Sequence, residues 1–173
     1  MFDDFKELLF IFNSRKVKYL IVGGYAVSLH AQPRATKDID LLIKPEPENA
    51  KAVYAALSEF GAPLDGLADD DFISRGKFFR MGQAPLTVDI LPEISGVDFD
   101  SVWQRRVEVE IDPASGLTAP FISRDDLITA KLAAGRPQDI ADVAALRKAA
   151  ESQVREAGEK TPQPEKEDPN QQE

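Results

Sequence analysis

Apolar positions along the chain follow two periods in turn. Phe5, Leu8, Leu9 and Phe12 recur at i, i+3, i+4 and i+7 behind Asp3 and Asp4, so the spacing predicts an amphipathic helix over Asp3–Ser14. The run VKYLIV, Val17 to Val22, is β-branched and aromatic and predicts a strand. Gly23-Gly24 interrupts it. Tyr25–Ala31 then reads as a short helix starting at the glycines, and Gln32–Lys37 as a polar loop holding Pro33. A second strand is predicted over Asp38–Lys44. A helix follows over Pro47–Phe60, with Ala50, Val53, Ala56, Leu57 and Phe60 on one face.

The later half alternates in the same way. Gly61–Asp71 is a loop rich in Gly, Pro and Asp; Ile73–Arg80 and Leu86–Leu91 read as a strand pair; Asp98–Arg105 reads as a short helix. Val107–Ile111 and Thr118–Ile122 are two shorter strands. Arg124–Ala134 is helical, Gly135 stops it, and Pro137 opens a helix to about Ala157. From Gly158 the segment GEKTPQPEKEDPNQQE offers no apolar side chain to bury, which predicts a disordered acidic tail over 158–173. The expected architecture is a mixed α/β domain over residues 1–157 with one sheet, a core motif in 17–91 and C-terminal helices in 124–157.

Composition narrows the chemistry. The 173 residues contain no cysteine and one histidine, His30, which excludes disulfides, thiolate metal sites and a multi-histidine zinc site. No apolar run approaches the roughly 18 residues of a membrane span, and the acidic N-terminus is unlike a signal peptide. A cytoplasmic protein without a membrane partner is expected. The net charge of −9 argues against a broad grip on nucleic acid, although part of it lies in the tail and a local basic patch is compatible with it.

One stretch does not fit a simple core. In a strand, i and i+2 share a face, so Asp38 and Asp40 project together while Ile39, Leu41 and Ile43 face the other way. Two carboxylates about 6–7 Å apart along a strand repel each other. They are tolerated when exposed, when paired with cations, or when they hold a divalent metal. Mg²⁺ takes a few carboxylates and commonly adds substrate phosphates. Gly-Gly between a strand and a helix lets backbone N–H groups approach a phosphate. Each feature alone reads more simply as a solvated strand face or a tight turn. In this order they read better as a phosphate cradle beside a metal site.

The string GGYAVSLH, followed by R-x-T-x-DIDLLI, resembles the signature of the polymerase β-like nucleotidyltransferase superfamily. More specifically, it is similar to small bacterial nucleotidyltransferases related to the AbiEii toxins. The resemblance spans roughly Val17 to Leu146. It implies a third carboxylate, matched by Asp89 in LTVDILPE, and a C-terminal helical segment, matched by Lys131-Leu132, Arg136, Asp139 and Asp142-Val143. Ala31 stands where relatives often have Gly, and Gln138 where many have Lys.

The resemblance implies a polymerase β-like fold and a Mg²⁺-dependent transfer of an NMP from an NTP to a hydroxyl acceptor: a tRNA, a protein or a small molecule. Asp38 and Asp40 would hold Mg²⁺; Asp89 would hold a second metal or act as base. Gly23 and Gly24 would cradle phosphates, Thr36 would add a hydroxyl contact, and Arg34, Lys131 and Arg136 would neutralise the triphosphate. A toxin role would bring a cognate antitoxin as partner. The competing expectation is a non-catalytic binding module, in which one of the three acids is turned away or salt-bridged.

Plainer readings stand beside these. Arg34 and Lys37 would pair with Asp38 or Asp40 on the surface, and Lys131 would be solvated. Asp139 would complement a helix dipole, and Asp142 would pair with Arg136 or Arg147. His30 would hydrogen-bond locally, and Trp103 would belong to the core.

Overall fold

The computed structural model describes residues 1–33, 35–83 and 86–159, the last three as backbone only. Its elements are α1 (Asp3–Ser14), β1 (Tyr19–Val22), α2 (Gly23–His30), β2 (Asp38–Ile43), α3 (Pro47–Phe60), a 3-10 turn (Asp69–Ile73), β3 (Phe79–Gln83), β4 (Leu86–Leu91), α4 (Phe99–Gln104), β5 (Val107–Asp112), β6 (Leu117–Phe121), α5 (Arg124–Ala134) and α6 (Pro137–Glu159). Six strands form one mixed sheet in the order β3-β4-β2-β1-β6-β5. β2 runs parallel to β4 and β1 to β6, while the pairs β1/β2, β3/β4 and β5/β6 are antiparallel. The expected mixed α/β class is the one observed.

The core follows the apolar periods. All four residues of β1 are buried, as are Ile39, Leu41, Leu42 and Ile43 of β2. The apolar stripe of α1 is buried too, and Phe12 meets Tyr19 edge-to-face with ring centroids 5.5 Å apart. α1 packs with α3, whereas α2 packs with α5 and α6. α3 opens on Pro47 and stops at Gly61, whose φ of 86° is the left-handed cap that glycine accepts at little cost. Among the described residues no helix is long and apolar enough to cross a membrane.

Two boundaries differ from the sequence expectation for identifiable reasons. The strand expected from Val17 begins at Tyr19, because Lys18 is held by the α3 side chain of Asn49. Asn49 Oδ1 accepts from Lys18 N–H at 2.8 Å, and its Nδ2 donates to the carbonyls of Lys18 and Lys44 at 3.0 Å each. The strand expected over Ile73–Arg80 starts only at Phe79. Upstream, the Asp71 carboxylate accepts from Ala68 N–H in a 3-10 turn, and Glu93 accepts from Gly76 N–H in a bend where Gly76 has φ of 74°. The tail expected over 158–173 lies outside the described residues from 160 onward, and α6 continues to Glu159.

Asn49 is 4% exposed and satisfies three backbone groups at one end of the β1/β2 pair. Asn49→Ala should cost about 2 kcal/mol, because buried polar groups lose their partners. The expected readout is a lower urea midpoint with an unchanged denaturant slope.

Candidate active site

Strand register builds the site. Val22 pairs with Asp40, Asp40 with Asp89, and Asp89 with Arg80. These four residues form one row across β1, β2, β4 and β3. Side chains in register on neighbouring strands share a face, and strands lie about 4.8 Å apart. Asp40 and Asp89 are therefore held side by side by the backbone. Asp38, one pleat along, pairs with Thr87, whose hydroxyl donates to it at 2.9 Å.

The glycines answer a steric demand from the same row. Gly23 has φ of 60°, and a Cβ there would overlap the Asp40 carboxylate. A Cβ on Gly24 would press on the Thr36 side chain. Gly24 N–H, in the first turn of α2, donates to Asp40. The pair therefore makes room for Asp40 and Thr36, and Gly23 also lines the cleft described below.

Asp40 has a carboxyl pushed up to about 6. Burial is the main cause, followed by the charges of Asp89 and Asp38, against the Gly24 N–H and the Lys131 charge. The site is thus short of positive charge at the position where two hard oxygen donors, Asp38 and Asp40, share a face. That fits one hard divalent cation.

The third acid is placed differently from expectation. Asp89 is 5% exposed, and both its oxygens accept from Arg80: Nε to Oδ1 and a terminal nitrogen to Oδ2, each at 2.6 Å. Asp89 holds the guanidinium above its ordinary pKa range, and Arg80 also leans over the Phe78 ring at 5.6 Å. Among the described residues no three acidic or imidazole groups are grouped as a metal centre. In this conformation both Asp89 oxygens are engaged by arginine, the arrangement expected of one of the three acids in a binding module. Sequence reading passed over Arg80, because the register that sets it opposite Asp89 depends on a hairpin turn that carries no such signal.

The opposite wall comes from α5 and α6. Gly135, with φ of 66°, ends α5, and α6 then packs back against it. Lys131 Nζ lies 3.0 Å from Asp139 and 2.7 Å from Asp142. Arg136 holds Asp139 through Nε at 2.6 Å and a terminal nitrogen at 3.1 Å, and Gln138 donates to Asp142 at 3.0 Å. Lys131, Asp139 and Asp142 are all buried, which corrects the plain reading of Lys131 and adds a partner to those of the two acids. Lys131 is not solvated. Asp139 is an ion-pair partner as well as a helix-start acid, and its carboxyl is lowered to about 2, first by Arg136. Asp142 pairs with Lys131.

A cleft of about 490 Å³ separates the two walls. Gly23, Asp40, Asp89 and Arg80 line the sheet side; Leu127, Ala130, Lys131 and Arg136 line the helical side; Phe78, Leu91 and Ile94 are apolar lining. Arg34 lies outside the described residues. Thr36 is not among the cleft residues: its hydroxyl donates to the Asp38 carbonyl at 3.3 Å, and it lines a separate depression with Tyr25 and Ser28. His30 bonds locally, with Nε2 2.8 Å from the Ile122 carbonyl. Trp103 packs against the core, stacks on Phe99 and holds Arg106 over its ring at 4.1 Å.

Two outcomes follow from these charges. A carboxyl whose folded pKa is raised destabilises the folded state above about pH 6, and the penalty fades as pH falls through that value. Asp40→Asn should therefore raise stability at pH 7.5 by about 2 kcal/mol, with the difference gone below about pH 4, as read by urea melts across pH. Lys131→Met strips two buried carboxylates of a shared cation and should cost about 3 kcal/mol by the same measurement.

Comparison with known proteins agrees with this architecture. No curated protein matches the chain significantly. Among solved structures, the lincosamide antibiotic adenylyltransferase LnuA, in its lincomycin-bound form, superposes with a TM-score of 0.55 at 16% identity, over 86% of this chain and 98% of that one. An antigenic nucleotidyltransferase-like protein from Paracoccidioides brasiliensis gives a TM-score of 0.49 at 16% identity, over 89% and 87%. The family of nucleotidyltransferases of unknown function designated DUF6036 matches residues 1–151. The row of acids across the sheet, the glycine elbow above it and the family match over nearly the whole folded region lead to one conclusion: this chain belongs to that nucleotidyltransferase family.

Proposed function

We propose that the protein transfers a nucleoside monophosphate from a Mg²⁺-bound NTP to a hydroxyl of a small acceptor held in the cleft. The observation that carries this reading is the in-register placement of Asp40 beside Asp89 under the Gly23 elbow, facing Lys131 and Arg136 across the cleft. Asp38 and Asp40 supply the oxygen donors for Mg²⁺, which when bound would stabilise charge on the attacking and leaving oxygens. Arg136 has a side chain 75% exposed and offers a guanidinium to phosphate oxygens. Asp89, once Arg80 releases it, either holds a second cation or takes the proton of the acceptor hydroxyl as the hydroxyl oxygen attacks the α-phosphorus. The bond from that phosphorus to the bridging oxygen breaks, and pyrophosphate leaves.

A small acceptor suits the cleft better than a nucleic acid does. Its volume is about 490 Å³, it carries the apolar residues Phe78, Leu91 and Ile94, and the chain has a net charge of −9. LnuA, the adenylyltransferase of similar fold, is described with a small molecule, lincomycin, bound. The similarity to AbiEii-type toxins rests on the motif string alone. Under it, the acceptor would be tRNA or protein, and expression of the chain would arrest growth unless the adjacent gene relieved it.

One observation favours a non-catalytic module instead: Asp89 is salt-bridged. Calorimetric titration with each NTP, with and without Mg²⁺, separates the two. The transferase reading expects Mg²⁺-dependent binding that Asp40→Asn weakens by about tenfold or more, or about 1.4 kcal/mol. The absence of Mg²⁺-dependent binding to the wild type would overturn it, and NTP binding that ignores both Mg²⁺ and Asp40→Asn would support the module.

A further inference from the structure

Arg80 and Asp89 are unequal partners. Asp89 is fixed on β4, 8% exposed at its side chain, whereas the Arg80 side chain is 56% exposed on the outermost strand of the sheet. Arg80 closes a two-bond fork over both carboxylate oxygens. While the fork is closed, each Asp89 oxygen already accepts a charge-assisted hydrogen bond, so a proton or a cation coming to either one competes with Arg80. The fork cannot simply open. Asp89 would be left buried beside Asp40 with no cation between them, and a buried unpaired carboxylate is costly.

Opening therefore needs an exchange. Asp89 must receive another cation, while Arg80, with its side chain 56% exposed, is stabilised most where another anion replaces the carboxylate. A divalent metal alone meets the first need and leaves Arg80 to water, which only partly replaces a two-bond charged fork. A nucleotide alone meets the second and adds negative charge to a row that already holds Asp38, Asp40 and Asp89. A metal-bound triphosphate meets both, and its phosphates match the planar fork of arginine as well as a carboxylate does. Phe78, 58% exposed and under the guanidinium, lines the same cleft as Asp40, so Arg80 keeps one contact while its fork changes partner.

On the transferase reading above, we propose that Arg80 is a latch released by metal-bound nucleotide: it closes Asp89 in the free protein and moves to the triphosphate when Asp89 takes its cation. Metal at Asp89 and nucleotide in the cleft then promote each other's binding, since each supplies what the other's arrival requires. Arg80 is a substrate-binding and positioning residue for this transfer. A purely structural cross-strand pair would only tie β3 to β4.

The test counts metal ions. Mn²⁺ is titrated by calorimetry and electron paramagnetic resonance into wild type, Arg80→Gln and Arg80→Lys, with and without α,β-methylene-ATP; thermal melts check that each variant is folded. Wild type should bind one Mn²⁺ alone and a second only with the nucleotide analogue. Arg80→Gln should bind the second Mn²⁺ without nucleotide and hold the analogue about tenfold more weakly, or about 1.4 kcal/mol. Arg80→Lys keeps the charge but loses the fork and should fall between them; it carries the test if the glutamine variant does not fold. Two Mn²⁺ in free wild type, or one in the variants as in wild type, would overturn the latch and leave the transferase reading standing if Mg²⁺-dependent NTP binding is intact. No Mn²⁺ in any sample with the analogue present would overturn both.

Discussion

Like charge held in one pleat row is the constraint from which the rest of this structure follows. Backbone register forces Asp40 beside Asp89, and the strand period sets Asp38 on the same face. The sheet cannot relax this crowding without a slip that would turn Ile39 and Leu41 out of the core. Every neighbouring feature relieves it locally. Gly23 opens space for the Asp40 carboxylate, Gly24 gives it an N–H, Thr87 donates to Asp38, and Arg80 neutralises Asp89. Asp40 is left with its carboxyl well above the usual range.

The cations show complementary logic. Lys131 and Arg136 face the acid row across the cleft, but each is anchored by acids of its own, Asp139 and Asp142, at the start of α6. Anchoring keeps two long side chains from collapsing onto Asp40 and filling the cleft. It also places the buried Lys131 so that its field lowers the Asp40 pKa without a direct bond. Among the described residues Arg80 has no such second anchor beyond the Phe78 ring, and it is the cation that closes on an acid of the row. The contrast between anchored and unanchored cations explains why one wall of the cleft is open and the other is latched.

Much of this was legible in the sequence, and the legible parts share a cause. Local period and end signals gave α1, α3, β4 and α5 their observed bounds, because Pro47, Gly61 and Gly135 act on their own neighbours. The i, i+2 rule put Asp38 and Asp40 on one face. What the sequence withheld depends on long-range pairing. Lys18 is removed from β1 by Asn49, a residue 31 positions away. Arg80 is aligned with Asp89 by a hairpin register. Lys131 is buried only because α6 folds back on α5. The resemblance reached a nucleotidyltransferase, and the family match gives that coarser kinship without the AbiEii type or the toxin.

A site so arranged sets stability against chemistry. An acid row with too little positive charge raises the free energy of the folded state at neutral pH, and hydrophobic burial beneath the sheet has to offset it. The buried faces of β1 and β2, both fully apolar toward α1 and α3, lie directly under the crowded row. The same strands therefore carry buried apolar side chains on one face and crowded carboxylates on the other. Because the repulsion is stored in backbone register, a cation entering beside Asp38 and Asp40 meets oxygen donors that the strands have already placed, and only the Arg80 fork at Asp89 has to move. Under the proposed function, rigidity under the acids, rather than any single ligand, is what would make the row a binding device.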